Sequence, residues 1–231
     1  MASAYKIRRT IAVVVAVIGL ASILLTHPDL QQPITQTPPQ DTVAIGTAAD
    51  ALAQLPVKGR APKTGYERTQ FGDGWAEVNG CDTRNRILNR DLTETSINDK
   101  CQVVTGKLHD PYTGKDILFS RGESSSQSVQ IDHVVALSNA WQTGAQNLTK
   151  DQRVQLANDP LELLAVEGEA NQQKSDGDAA TWLPANKAFR CQYVARQIAV
   201  KAKYQLWVTT AEKDAMTRVL TTCPGQKLPT E

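Results

Sequence analysis

The clearest periodicity of apolar positions lies near the end of the chain. Apolar residues recur there at intervals of four, three and four, on one face of a helix: Cys191, Ala195, Ile198 and Ala202. A capping box, Thr209-Thr-Ala-Glu212, begins a second helix that should end near Cys223-Pro-Gly. The pattern therefore predicts an antiparallel helical pair at the C-terminus.

Upstream, shorter apolar runs alternate with turn residues. Strands are predicted at Val103–Leu108, Ile117–Ser120, Val129–Leu137 and Leu161–Val166. Helices are predicted at residues 51–55, 83–92 and 149–158, and one should start within residues 171–180. The segment 110–114, Asp-Pro-Tyr-Thr-Gly, has turn chemistry and joins the first two strands as a hairpin. Residues 57–80 should form a loop.

The N-terminal pattern is of a different kind. Residues 11–25 form an uncharged apolar run after Lys6, Arg8 and Arg9, which is typical of an export signal. The run is shorter than the roughly 17–25 residues of a membrane span, and no small-x-small cleavage site follows it. A cleaved signal peptide and an uncleaved anchor both stay open. The predicted location is therefore secreted, or anchored to the outer face of the cytoplasmic membrane.

A linker and one folded domain follow this segment. Residues 27–44 carry four prolines and little apolar content, as in an extended linker. The predicted organisation is an export segment at 1–26, a Pro/Gln-rich linker at 27–44 and a folded domain at 45–231. Composition is that of a globular protein, with 41% hydrophobic and 21% charged residues. A net charge of +1 excludes a protein held on nucleic acid by bulk charge alone.

Four cysteines are present, and none forms a C-x-x-C pair. An even count in an exported chain favours two disulfides over a zinc knuckle, and three pairings are possible. An antiparallel helical pair would bring the start of its first helix close to the end of its second. We therefore favour Cys191–Cys223, together with Cys81–Cys101.

The chemistry-bearing residues lie in a strand–strand–helix order. His133 follows Asp132 at the end of one predicted strand, a second strand comes next, and Asn171-x-x-Lys174 starts a helix. This layout resembles that of the HNH endonuclease superfamily of ββα-metal nucleases. More narrowly, the chain is similar to exported actinobacterial HNH proteins, whose domain is related to the C-terminal nuclease domain of modification-dependent restriction enzymes. The resemblance covers residues 51–223 and includes further motifs: Leu55–Tyr66, Cys81–Asn85, Asp110–Gly114, Thr181–Pro184 and Phe189–Cys191.

The resemblance implies an α+β fold: a ββα-metal core with an added β-hairpin and the C-terminal helical pair, stapled by disulfides. It also implies a metal-dependent endonuclease that hydrolyses nucleic-acid phosphodiesters with little sequence selectivity, DNA being favoured over RNA. Asp132 and Asn171 would hold one divalent ion, Mg²⁺ with Mn²⁺ as the alternative, because hard cations prefer oxygen ligands. His133 would be the general base, since imidazole titrates near neutral pH. Neighbouring strand residues face opposite ways, so Asp132 and His133 converge only where the strand ends or bulges.

One position departs from the family pattern. Glu162 occupies the place of a usual Asn, just before a Leu in the second strand, where it would either orient the His133 ring through a hydrogen bond or face solvent. Asp82 is expected to cap a helix rather than bind metal. The candidate phosphate-binding residues are Arg84, Lys174, Lys187 and Arg190. Ordinary solvated helix faces are the alternative for these four.

Two other functions stay open. The first is a nucleic-acid-binding module that has lost catalysis, which Glu162 would explain. The second is a structural cell-envelope protein held by an uncleaved anchor, in which the N-terminal segment would be the only contact with the membrane. Neither protein partners nor an oligomeric state can be predicted from this sequence.

Overall fold

Helices and short strands alternate along residues 46–122 and 125–229, the part of the chain that the computed structural model describes. The helices are α1 (Ala48–Gln54), α2 (Thr83–Asp91), α3 (Leu137–Gln142), α4 (Lys150–Asn158), α5 (Gly168–Lys174), α6 (Arg190–Lys203) and α7 (Thr210–Leu220). The strands are β1 (Glu77–Val78), β2 (Cys81–Asp82), β3 (Thr93–Ile97), β4 (Val103–His109), β5 (Asp116–Ser120), β6 (Val129–His133) and β7 (Leu163–Glu167). The predicted α+β class is confirmed. The predicted export segment and linker lie outside the described residues.

Strands β6 and β7 and helix α5 form the strand–strand–helix unit. The two strands are antiparallel, with His133 opposite Leu163 and Asp132 opposite Leu164. Helix α5 begins at Gly168, directly after β7, and Gly168 N donates to Ser128 O at 3.0 Å. The helix therefore folds straight back onto the two strands that precede it.

The β6–β7 pair lies between two apolar cores because successive strand residues face opposite sides. Ile131, Leu163 and Ala165 pack with α2 and the β3–β4–β5 sheet in the smaller core. Leu164 and Val166 pack with the helices in the larger core. Asp132 pairs with Leu164, so its side chain lies on the helical side, where α5 also packs.

Several predicted boundaries were wrong. The strand predicted at Val129–Leu137 ends at His133, because the chain then turns and α3 starts at Leu137. Helix α5 starts at Gly168 and ends at Lys174, earlier than predicted. Strand β3 was missed, since its residues are mostly exposed and polar and carry no apolar alternation.

The C-terminal helical pair forms as predicted, with Thr209 capping α7 in a full capping box. Disulfides join Cys191 to Cys223 and Cys81 to Cys101, which is the favoured pairing. The first ties the start of α6 to the end of the chain's last helix. Among the described residues, no helix has the length and apolar character needed to cross a membrane.

Candidate active site

The end of β6 brings Asp132 and His133 to one cavity. β6 stops at His133, so the backbone turn lets both side chains reach the same space despite their alternation along the strand. The cavity measures about 410 Å³, and Arg84 and Asn171 also line it. The sequence predicted that Asp132 and His133 could meet only where their strand ends or bulges, and the strand does end there.

The tautomer of His133 follows from the one hydrogen bond that its ring makes within the described residues. Nε2 lies 3.0 Å from the carbonyl oxygen of Ala157, at the end of α4. A carbonyl oxygen only accepts, so Nε2 carries the proton and Nδ1 keeps the lone pair. The described residues offer Nδ1 no hydrogen-bond partner, and burial lowers the pKa of His133 to about 3. The imidazole is therefore neutral at pH 7, with Nδ1 as its basic atom.

An aromatic ring supports the histidine from the side. The indole of Trp75 lies parallel to the His133 ring, with 8° between the planes and 5.7 Å between the centroids. Trp75 belongs to the segment predicted as loop, and it is positioned by the neighbouring Ala76 N, which donates to Asn158 Oδ1 at 2.8 Å. This contact and the Ala157 carbonyl both come from the C-terminal end of α4, which therefore orients the histidine.

Asp132 is buried and held from two sides. Tyr112 donates its hydroxyl to Oδ2, and Lys174 Nζ donates to Oδ1 at 2.9 Å. Lys174 also donates to the carbonyl oxygen of His133 at 2.8 Å. Burial raises the pKa of Asp132, while the Lys174 ammonium and the Tyr112 hydroxyl act in the opposite direction. A single lysine thus fixes both members of the Asp-His dipeptide.

Asn171 is oriented by a residue on β6. Its Nδ2 donates to Gln130 Oε1 at 2.9 Å, which leaves Asn171 Oδ1 free as an acceptor. The i, i+3 spacing on α5 matches the two-residue spacing on β6, since Asn171 meets Gln130 and Lys174 meets Asp132. Helix and strand are therefore in register at the site.

The side-chain oxygen atoms at the cavity are suitable ligands for a hard divalent ion. Asn171 Oδ1 is free, and each Asp132 oxygen keeps a second lone pair beyond the hydrogen bond that it accepts. A cavity of about 410 Å³ leaves room for the several waters that Mg²⁺ retains. The described residues contain no group of three His, Cys, Asp or Glu side chains arranged to hold a metal, so a closed zinc-type site is not formed.

Of the four predicted phosphate-binding residues, Arg84 lines the cavity and the other three do not. Arg84 lines the cavity, where it donates to Val129 O at 3.1 Å, and burial lowers its pKa. Lys174 is 2% exposed and bound to Asp132, so it does not face a ligand, and that prediction was wrong. Lys187 and Arg190 do not line the cavity; Arg190 Nε donates instead to Pro184 O at 2.7 Å.

Glu162 also differs from both expectations. Its side chain is fully buried, and Oε2 accepts from Val135 N at 3.2 Å rather than from the His133 ring. Its backbone carbonyl accepts from Val134 N at 2.9 Å. Glu162 therefore holds the two residues that follow His133, while Ala157 orients the ring. Asp82 caps α2 by accepting from Asn85 N at 2.8 Å, as expected.

Sequence reasoning missed four residues at the site: Arg68, Trp75, Tyr112 and Gln130. Tyr112 lies inside the quoted Asp-Pro-Tyr-Thr-Gly motif, which was interpreted only as a turn. Gln130 lies two residues before Asp132, and the alternation of the strand could have placed the two on one face. Arg68 and Trp75 come from the loop 57–80 and reach the cavity only through tertiary packing.

Two comparisons with known proteins bear on the family of this chain. Residues 78–219 match the family model described as GmrSD restriction endonucleases, C-terminal domain. The chain is also 36% identical, over 211 residues, to a protein of Arthroderma benhamiae described as an uncharacterized secreted protein; the match covers 90% of this chain and 97% of the relative. Neither comparison addresses an actinobacterial origin.

The family model fixes the general class of the domain. Nuclease domains act on nucleic acid, and a divalent metal is generally part of their chemistry. The match covers more than half of the chain and includes β6, β7 and α5. The protein therefore belongs to the family of the GmrSD restriction endonuclease C-terminal domain, an HNH-type nuclease domain.

Proposed function

We propose that this protein is an exported, metal-dependent endonuclease that hydrolyses phosphodiester bonds, in DNA in preference to RNA, with little sequence selectivity. His133 is the general base, and Asp132 and Asn171 hold the metal ion, Mg²⁺ or Mn²⁺. The observation that carries the proposal is the tautomer of His133. Its Nε2 is tied to the Ala157 carbonyl, so Nδ1 is the unprotonated ring nitrogen of a side chain that lines one cavity together with Asp132 and Asn171.

The reaction begins with a proton transfer to His133. Nδ1 accepts a proton from water as the water oxygen bonds to phosphorus; the P–O3′ bond then breaks and the 3′-oxygen takes a proton from solvent. A bound phosphate near the ring favours the imidazolium and raises the pKa of His133 towards neutrality. The Ala157 carbonyl stabilises the positive ring through Nε2–H.

The remaining site residues orient the phosphate. Arg84 presents its remaining guanidinium N–H groups to the phosphate oxygens. Gln130 keeps the Asn171 amide turned so that its oxygen faces the cavity. When bound, the divalent cation supplies Lewis-acid stabilisation of the charge that develops on the phosphate and on the leaving oxygen.

A cleavage assay with a matched pair of histidine variants tests the function. The full chain, with both disulfides formed, is incubated with supercoiled plasmid and Mg²⁺ or Mn²⁺, with EDTA as the metal control. His133→Ala should lower the nicking rate by about 10²–10⁴-fold, the usual contribution of a general base. His109→Ala removes an exposed histidine on β4 that pairs with Asp116, and it should leave the rate unchanged.

Other outcomes have definite meanings. Nicking that survives in His133→Ala would show that another group is the base. Plasmid binding by the folded native chain, without cleavage in either metal, would favour the binding-module function. Absence of both binding and cleavage would favour the structural cell-envelope protein.

A further inference from the structure

A second cavity adjoins the candidate active site. It measures about 240 Å³ and shares four lining residues with the first cavity, Arg68, Trp75, His133 and Leu137, so the histidine lies between the two. Their chemistry differs. The Asp132 carboxylate and the Gln130 and Asn171 amides line the first cavity only, whereas the second lacks them and has Trp75 as its main aromatic wall, with the edge of the nearly buried Phe71 beside it.

The walls of this second cavity are held in place by helix α4. The buried Arg153 donates from Nε to Gln70 O at 3.0 Å and from Nη2 to Gln70 Oε1 at 3.1 Å, which fixes the short helix Arg68–Phe71. Asn158 holds the other end of the loop through Ala76 N. The cavity is therefore formed before a ligand arrives, which lowers the entropic cost of binding.

We infer that this cavity binds the nucleobase of the nucleotide next to the scissile phosphate, with that base out of its stack; the inference rests on the proposed function. The aromatic surface beside His133 suits the flat face of a base, and stacking of this kind accepts every base. The exposed carboxylate of Asp73 lines the cavity and can accept from base N–H groups. Within the described residues, the Asp73 carboxylate forms no ion pair and accepts no hydrogen bond.

The position of Arg68 supports the same ligand. Arg68 lines both cavities, and it too forms no ion pair or hydrogen bond within the described residues. It lies close enough to His133 for its charge to lower the pKa of the ring. An exposed guanidinium between a polar cavity and an aromatic one matches a nucleotide, in which a phosphate and a base lie side by side.

A preference for single strands follows. A base in a duplex must leave its pair and its stack to enter the cavity, whereas a base in a single strand is already accessible. The chain should therefore bind and cleave single-stranded segments better than duplexes of the same sequence.

The test compares binding and cleavage of one 20-nucleotide sequence, single-stranded and as a duplex. Binding to the full-length native chain is measured by fluorescence anisotropy in EDTA at fixed ionic strength, and kcat/KM is measured with the same chain and Mg²⁺. Both quantities should favour the single strand by at least tenfold. Thr69→Trp, which fills the cavity from an exposed position on its rim, should reduce the preference to below threefold.

Three further variants show whether the effect depends on this cavity. Trp75→Phe keeps an aromatic ring and should retain the preference, whereas Trp75→Ala should lose it. Thr210→Trp places the same side chain at an exposed position on α7 and should change nothing. An equal affinity for both substrates, or a preference that Thr69→Trp leaves intact, would overturn the inference.

The two proposals fail separately. If the chain cleaves both substrates equally and binds them equally, the base cavity is rejected and the nuclease stands. If no substrate is cleaved but single strands bind better in a Thr69-dependent and Trp75-dependent way, the cavity stands and the hydrolytic function is rejected.

Discussion

At the residue scale, the site depends on buried polar groups whose partners come from distant parts of the chain. Lys174 donates hydrogen bonds to both the Asp132 carboxylate and the His133 carbonyl, and the Ala157 carbonyl accepts one from the His133 ring. Each of these groups would be costly to bury alone, so each contact stabilises the fold while it positions a reactive atom. Stability and activity should therefore change together at these positions.

Lys174→Met should destabilise the protein strongly, because it leaves the Asp132 carboxylate buried with only the Tyr112 hydroxyl. Breaking a buried pair by removing one partner costs about 3–5 kcal/mol. The measurement is the free energy of unfolding in urea. Lys115→Met, which breaks an exposed pair with Glu167, is the control and should cost less than about 1 kcal/mol. A similar cost for both would show that Lys174 is not a specific counter-charge.

Glu162→Gln should be more stable than the native chain, and the difference in unfolding free energy should grow as pH rises. Burial raises the pKa of Glu162 well above its ordinary value, an effect that the Lys174 ammonium opposes and the Asp132 and Asp159 carboxylates reinforce. The folded state therefore retains a proton that the unfolded chain releases above its ordinary pKa of about 4.3, and native stability falls as pH rises from there. Glutamine does not titrate and avoids this loss.

Urea unfolding between pH 4 and pH 9 checks this expectation. The two proteins should differ least at pH 4 and most at pH 9, with the variant more stable. Glu77→Gln, at an exposed position on β1, should give a curve parallel to that of the native chain. Parallel curves for Glu162→Gln would contradict the assignment of a raised pKa.

At the element scale, the ββα unit depends on a close approach at the start of α5. A Cβ added to Gly168 would lie 2.1 Å from the carbonyl oxygen of Gln127, closer than any real contact. The glycine thus lets α5 turn directly onto β6, where Asn171 and Lys174 meet Gln130 and Asp132. Backbone geometry at one residue sets the register of the whole site.

Gly168→Ala should therefore reduce both stability and cleavage, because the segment before β6 and the start of α5 must move apart. A forced shift of this kind costs about 1–3 kcal/mol. Thermal unfolding and the nicking rate are measured together. Gly59→Ala is the control: an added Cβ there meets nothing within 4 Å, and it should have little effect. Unchanged values for Gly168→Ala would show that the backbone adapts without cost.

At the scale of the whole molecule, two disulfides tie different parts of the fold. Cys81–Cys101 closes a separation of 20 residues beside α2, the helix that carries Arg84, whereas Cys191–Cys223 closes 32 residues in the helical pair. Both restrict the unfolded chain, but only the first lies next to a residue that lines the candidate site.

Removing each disulfide by paired Cys→Ala substitutions should lower the free energy of unfolding by about 2–4 kcal/mol. Below the unfolding temperature, loss of Cys191–Cys223 should leave the nicking rate unchanged, and loss of Cys81–Cys101 should lower it. Calorimetry measures the loss of unfolding free energy, and the plasmid assay at about 25 °C measures the nicking rate. Equal activity of both variants would show that α2 keeps Arg84 in place without its disulfide.

The sequence by itself determined the local features. Capping boxes, helical periodicity and turn residues are short-range signals, and they located α1, α4, α6 and α7 to within a few residues. The order of Asp132-His133, a second strand and Asn171-x-x-Lys174 identified the ββα unit, because its residue types and spacing lie within consecutive elements. The helical pair also indicated which cysteines would meet.

Only the tertiary structure decided which partner each reactive group has. The Ala157 carbonyl sets the tautomer of His133, Lys174 is buried against Asp132 rather than facing a phosphate, and Glu162 binds Val135 N instead of the histidine ring. Arg68 and Trp75 reach the site from a loop without periodicity. These pairings join residues that are distant in the chain, and packing of α4 and α5 on the β6–β7 pair brings them together, so no local pattern encodes them.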